Sequence, residues 1–197
     1  MIEFKNTEVI RDLPFSEYLQ IKAYSNSFLK MAVDGVVPEF VPSDKVKLGS
    51  MVDAILTDVG EVDLKSPFYR PAKKLAAHVA TFFGVDLWNM FESQVSFTSE
   101  MVNDMGLAMK VKGRLDKMAP GRVIDLKITH AKVSQIQNLI VHMKYFEQMW
   151  LYSNAMSFTS NPALIFYSVP DDEVHPVFLD VSGPSRYYES KILLYGT

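Results

Sequence analysis

The chain has 197 residues, of which 48% are hydrophobic, and a formal net charge of -3, an ordinary composition for one globular domain with a sizeable core. Because cysteine does not occur, disulfide bonds, thiolate zinc sites and cysteine nucleophiles are excluded. No apolar run is long enough to span a membrane, and residues 1–6 lack the apolar core of a signal peptide, so we expect a cytoplasmic protein without membrane contact.

The N-terminal half of the chain predicts mainly helices. Residues 1–24 predict a short strand and a lead-in, and Ser25 is a candidate N-cap for a helix over residues 26–33. Residues 36–47 contain two prolines and predict a loop, whereas an apolar stripe predicts a helix over residues 48–59. A further helical stretch lies within residues 70–92, and Gly84 is expected to divide it.

The C-terminal half alternates strands with helices. Strands are predicted over residues 94–99, 107–118 and 122–129, with Pro120-Gly121 turning the last two into an antiparallel hairpin. Residues 137–157 predict the longest helix, 163–169 and 174–180 two more strands, and 184–195 a closing helix. We therefore expect one α/β domain over residues 1–197, with a sheet flanked by helices.

The predicted hairpin carries an unusual set of charges. Asp116 ends one alternating strand, and Asp125 and Lys127 lie at alternate positions of the next. Pairing the strands would bring two carboxylates and an ammonium together on a half-buried face, which is costly unless the charges are paired or hold a metal. Two carboxylates can bind a hard divalent cation, and a nearby lysine can act on what that cation binds. A salt bridge on an exposed sheet face is the alternative.

Further polar residues are candidates for contacts beside this group. Lys112 and Arg114 share the predicted strand face of Asp116, so they are the first candidates for phosphate contacts. Gln148 and Tyr152 are four residues apart and therefore share a helix face. Asp53 lies at the flank of the apolar stripe in the predicted helix 48–59.

The spacing of Asp116, Asp125 and Lys127 resembles the PD-(D/E)xK nuclease superfamily. Within that superfamily, other segments of the chain resemble exonucleases of the RecE and lambda-exonuclease type, in the same order along the chain. These segments are Tyr24-Ser25-Asn26-Ser27-Phe28-Leu29-Lys30, the helix from Leu48 to Leu56, Asp125-Leu126-Lys127-Ile128-Thr129, and Gln148 with Tyr152. Together they span roughly residues 24 to 152, and residues after that add strands without a further motif.

The resemblance implies a restriction-endonuclease-like core, with a central mixed sheet flanked by helices. It implies that Asp116, Asp125 and the Leu126 carbonyl bind Mg²⁺ or Mn²⁺, and that Lys127 assists the attacking water. Gln148 would lie beside the catalytic groups. Contacts with DNA are implied for Ser25, Ser27 and Tyr152, besides Lys112 and Arg114.

Asp53 departs from the family pattern, in which this helix usually carries His or Glu. An Asp can still ligate Mg²⁺ directly or through water, so we include it among the expected metal ligands. A non-catalytic DNA-binding or assembly module with the same fold, and a RecB-like nuclease with other end-processing or nicking activity, remain alternatives, since Ile128 also departs from the motif.

The leading hypothesis is a metal-dependent exonuclease that resects linear duplex DNA for recombination of the phage type. The partners that the resemblance implies are DNA ends and a single-strand annealing protein, and ring-shaped relatives make a homo-oligomer plausible.

Overall fold

The computed structural model describes residues 1–31, 43–58 and 62–196. It is a mixed α/β structure built on one sheet, in which strands follow the order β1-β3-β4-β5-β6-β7 and β2 pairs with β4. The strands are β1 (Ile2–Ile10), β2 (Tyr24–Ser25), β3 (Glu92–Asn103), β4 (Ala108–Ala119), β5 (Arg122–Thr129), β6 (Ala163–Ser168) and β7 (Glu173–Phe178). Pairing is mostly antiparallel, but β2–β4 and β5–β6 are parallel, so the predicted mixed sheet is confirmed.

Helices lie on both faces of this sheet. They are α1 (Phe15–Gln20), α2 (Asn26–Met31), α3 (Asp44–Thr57), α4 (Tyr69–Phe83), α5 (Val85–Asn89), α6 (Ile136–His142), α7 (Tyr145–Ala155) and α8 (Arg186–Tyr195), and a 3₁₀ turn (Val133–Gln135) precedes α6. One apolar core joins α7 and α8 to the strands, and a second joins α3 and α4 to β5 and β6. Among the described residues, no helix has both the length and the apolar character needed to cross a bilayer.

Most of the predicted elements are confirmed. Pro120-Gly121 joins β4 to β5 as a two-residue turn, and Gly121 has the positive φ of 68° that a side chain would resist. Gly84, with φ 79°, separates α4 from α5 as predicted. The predicted strand over 94–99 extends in fact from Glu92 to Asn103. The expected ends of two helices, near Val33 and Val59, lie outside the described residues, as does most of the predicted loop 36–47.

The predicted single helix over residues 137–157 is wrong, because the chain breaks into α6 and α7 at Lys144. Lys144 adopts a left-handed conformation with φ 55°. The carbonyl of Met143, released from the helical pattern, accepts a hydrogen bond from the Lys30 ammonium at 3.1 Å. A tertiary contact thus satisfies the backbone at the break, and α4, with 15 residues, is the longest described helix.

Gly113 in β4 allows the sheet and α7 to approach closely. A Cβ atom at this position would clash with the Phe97 ring and would lie 2.7 Å from the Tyr152 ring. Both rings are buried and pack edge to face, with centroids 5.7 Å apart, so neither can move aside easily. The glycine therefore sets the position of Tyr152 and of its helix.

We predict that Gly113→Ala lowers the free energy of unfolding by about 1–3 kcal/mol through overpacking. Thermal denaturation followed by circular dichroism measures this loss. Gly49→Ala is the matched control, since no neighbour in the described part of the structure lies within 4 Å of a Cβ atom at Gly49. Equal melting temperatures for Gly113→Ala and the wild type would mean that the Phe97 and Tyr152 rings yield freely.

Candidate functional site

The candidate site lies where β4 and β5 separate. β3 covers one edge of β4 from Ala108 to Met118, while β2 and β5 share the other edge. On that second edge the pairing with β2 ends at Lys112 and the pairing with β5 begins at Lys117, so none of the described strands lies beside residues 113–116. Asp116 bridges the opening, because its Oδ2 accepts a hydrogen bond from the Leu126 backbone N–H at 2.8 Å. A carboxylate thus replaces a backbone acceptor at the point of separation.

Asp116 faces a cavity of about 830 Å³ between the sheet, α3 and the start of α1. Its wall includes the side chains of Asp53 from α3, Gln94 from β3 and Arg114 from β4. The structure therefore brings Asp53 and Asp116, which are 63 positions apart in the sequence, to the same cavity.

Asp53 is held by a chain of side-chain hydrogen bonds that starts at Arg114. Arg114 Nε donates to Gln94 Oε1 at 2.6 Å, and Gln94 Nε2 donates to Asp53 Oδ2 at 2.7 Å. The other carboxylate oxygen, Asp53 Oδ1, is buried and has no hydrogen-bond partner among the described residues. Such an oxygen costs free energy unless something binds it, so Asp53 has one acceptor available for a ligand.

Asp125 and Lys127 form a buried ion pair behind this wall. The Lys127 ammonium contacts Asp125 Oδ2, and Asp125 is only 1% exposed. Gln148 Nε2 donates to Asp125 Oδ1 at 3.1 Å and to the Tyr152 hydroxyl at 3.2 Å. The Lys127 ammonium also lies 5.1 Å from the centroid of the Tyr145 ring. Asp125 therefore contacts both Lys127 and Gln148.

The carboxylates of the site repel one another electrostatically. Burial, and then the charge of Asp125, raise the pKa of Asp53 to about 6. Burial together with the charges of Asp125 and Asp53 raises the pKa of Asp116 well above its ordinary value. Burial alone would lower the pKa of Lys127, but Asp125 and Asp116 outweigh it and raise that pKa. The neighbouring cations, Lys127 and Arg114, therefore do not fully offset the burial and mutual repulsion of these carboxylates.

The donor set fits a hard divalent cation. Carboxylate oxygens are the ligands that Mg²⁺ and Mn²⁺ prefer, and a cation would relieve both the raised carboxyl pKa values and the orphaned Asp53 oxygen. Within the described parts of the chain, however, no three His, Cys, Asp or Glu side chains lie close enough together to form a ready-made cage. Asp53 and Asp116 are thus the cavity-facing ligand candidates, whereas Asp125 is buried and does not line the cavity.

Two residues expected to contact DNA, Lys112 and Tyr152, have partners within the protein. The Lys112 ammonium donates to the carbonyls of Tyr18, Leu19 and Ile21 at 2.9, 3.2 and 3.0 Å, so all its donors are used inside the protein. Tyr152 is 7% exposed and packs against Phe97. Both side chains are buried and have partners inside the protein, and the phosphate and DNA contacts predicted for them stay predictions.

The predicted DNA contacts of Ser25, Ser27 and Arg114 have different surroundings. Ser25 Oγ accepts a hydrogen bond from the Phe28 N–H at 3.1 Å, as expected for a residue that caps α2, whereas Ser27 is exposed. Arg114 lies on the cavity wall, although its NH1 also donates to the Leu13 carbonyl at 2.7 Å. Of the three side chains, Arg114 is the one placed beside the carboxylates.

The importance of Gln94 was hard to read from the sequence. An uncharged residue at the start of a predicted strand gives no sign of catalysis, and no local spacing links Gln94 to Asp53 or Arg114. Glu92, two residues earlier on the same strand, pairs with Arg11. Gln94 has a φ of 52° within β3, and this turns its side chain to Asp53 and Arg114.

No protein-family model matches this sequence, and no curated protein matches it either.

Proposed function

We propose that this protein is a Mg²⁺- or Mn²⁺-dependent deoxyribonuclease of the PD-(D/E)xK type that resects linear duplex DNA from its ends. The observation that carries the proposal is the meeting of Asp53, Asp116, Asp125 and Lys127 at one opening in the sheet, where one Asp53 oxygen has no hydrogen-bond partner within the described parts of the chain. The motif resemblance supplies the substrate class, the annealing partner and the homo-oligomer.

In this proposal the residues of the site have different roles. Asp53, Asp116 and Asp125, with the Leu126 carbonyl, would hold the cation, which supplies charge neutralisation at the scissile phosphate and a more acidic bound water. Lys127 holds a positive charge beside Asp125, where it can orient water or stabilise developing negative charge. Gln148 positions Asp125 through its amide, and Gln94 positions Asp53.

A non-catalytic DNA-binding module is the second candidate, and one observation favours it. The Lys127 ammonium contacts Asp125 directly, and an acid that is already neutralised needs no cation. In that case the carboxylates of the described site would be remnants of a nuclease fold.

One digest separates these candidates. End-labelled linear duplex DNA and a circular duplex are incubated with the protein and Mn²⁺, or with EDTA. Loss of the label from linear DNA alone, and only with Mn²⁺, supports the exonuclease. Nicking of the circle indicates an endonuclease, and intact linear and circular DNA in both buffers overturns the enzymatic proposal.

Metal binding is predicted to depend on the site carboxylates Asp116 and Asp125. Calorimetric titration with Mn²⁺ should show binding to the wild type that Asp116→Asn and Asp125→Asn each weaken at least about tenfold, since each removes a charged ligand. Asp104→Asn, at an exposed carboxylate near the N-terminus, is the control and should bind as the wild type does. Unchanged binding in both site variants would exclude these residues as ligands.

A further inference from the structure

Helix α1 is fastened to the strand that carries Asp116. At its start, Arg114 NH1 donates to the Leu13 carbonyl at 2.7 Å. At its end, the Lys112 ammonium donates to the carbonyls of Tyr18, Leu19 and Ile21. The fastening residues and Asp116 alternate along β4, so α1 has a fixed position relative to the candidate site.

The first residue of this helix, Phe15, presents an aromatic ring at the cavity. Phe15 is 58% exposed and lines the same cavity as Asp53 and Asp116. Its ring stacks on that of Tyr18 with an interplanar angle of 20° and a centroid distance of 6.0 Å. The Arg114 guanidinium carbon lies 5.7 Å from the Phe15 centroid. The ring is thus supported from within the protein while much of it faces solvent.

Two neighbouring aromatic residues, Tyr18 and Tyr24, do not combine solvent exposure with a position on the cavity wall. Tyr18 is buried beneath the Lys112 and Arg114 side chains. Tyr24 packs against Phe28 and Tyr195, with centroids 5.4 and 5.5 Å away. These rings contribute to packing, and among the described aromatic residues Phe15 is the one that lines the cavity.

We propose that Phe15 is a stacking platform for an unpaired nucleobase of the DNA strand that enters the cavity. This inference rests on the proposed nuclease function. Aromatic rings stack on bases of any sequence, and a nearby guanidinium adds attraction to the phosphate that follows. Because α1 is fastened to β4, stacking places the neighbouring phosphate at a set distance from Asp116. The platform therefore favours frayed or single-stranded ends over fully paired ones.

Fluorescence tests this contact directly. The two native tryptophans, Trp88 and Trp150, are 3% and 4% exposed, so an indole introduced at the surface dominates any change caused by DNA. With EDTA present to prevent cleavage, a single-stranded oligonucleotide should quench the indole introduced by Phe15→Trp, and an oligonucleotide with abasic sites should quench it far less. Leu19→Trp is the matched control, because Leu19 is on the same helix, is 60% exposed and lines a different cavity. Equal quenching in both variants, or none at Phe15→Trp, overturns the proposal.

Affinity gives a second measurement. Phe15→Ala should bind the natural oligonucleotide about tenfold more weakly than the wild type, or ~1.4 kcal/mol, and should bind the abasic one with unchanged affinity. A wild type that neither binds nor degrades DNA would overturn the proposed function and the platform with it. A wild type that degrades DNA, with Phe15→Ala equal to it on frayed and paired ends, would overturn the platform alone.

Discussion

Replacing Asp116 by Asn is expected to reduce DNA cleavage by about 10³-fold or more, because a lost metal ligand costs several kcal/mol of transition-state stabilisation and each ~1.4 kcal/mol is a factor of ten. The same change should leave the melting temperature of the metal-free protein equal or higher. Burial and the charges of Asp125 and Asp53 raise the pKa of Asp116, which means that the fold disfavours its ionised form. A neutral amide removes that repulsion, and its oxygen can still accept from the Leu126 N–H.

Asp116→Ala separates the two roles of this side chain. Alanine also removes the charge, but it leaves the Leu126 N–H without its acceptor, so stability should fall by about 1–3 kcal/mol relative to Asp116→Asn. Single-turnover cleavage rates and thermal melts of both variants provide the measurements. Full activity in Asp116→Asn, or a large loss of its melting temperature, would make Asp116 a structural residue.

Replacing Lys127 by Met should reduce kcat by roughly 10²-fold or more, as for other preorganised electrostatic groups. The dissociation constant for DNA should change by less than about tenfold, or ~1.4 kcal/mol, because one positive charge among several contributes little to binding. Single-turnover rates give the first quantity, and anisotropy of labelled DNA in EDTA gives the second. An intact kcat with lost affinity would make Lys127 a DNA-binding residue.

Two further lysine variants help to interpret the result for Lys127→Met. Lys127→Arg keeps the charge beside Asp125 but changes the donor geometry, so activity partly restored by Arg would indicate charge stabilisation. Lys30→Met is the comparison for a lysine near the same tyrosine, since the Lys30 ammonium lies 5.9 Å from the Tyr145 centroid and donates to the Met143 carbonyl. We expect Lys30→Met to lower stability and to leave kcat within a few-fold of the wild type.

The fold was predictable where local chemistry determines the backbone. Glycine marks both the β4–β5 turn at Gly121 and the break between α4 and α5 at Gly84. The break at Lys144 was not predictable, because neither proline nor glycine occurs there and the released Met143 carbonyl is satisfied by Lys30, which is 113 positions away. Periodicity gives no sign of a partner so distant in the sequence.

In the candidate site too, local spacing was predictable and contacts between distant residues were not. The contact between Asp125 and Lys127 follows from their two-residue spacing on one strand. The roles of Lys112 and Arg114 did not follow, because their partner carbonyls, on Tyr18 and Leu13, are 94 and 101 positions away. A basic residue on a strand predicts a phosphate contact and a packed ammonium equally well, so the sequence did not distinguish these roles.

The alternation of side chains along β4 also determines which mutations this region can tolerate. Lys112 and Arg114 fasten α1, and Asp116 bridges to β5, at every second residue of one strand. A substitution removes one of these contacts at a time. A one-residue insertion or deletion between Lys112 and Asp116 would instead turn side chains on one side of the change to the opposite face. This stretch should therefore tolerate changes of residue type far better than changes of length, and a library built for altered substrate preference should keep its length fixed.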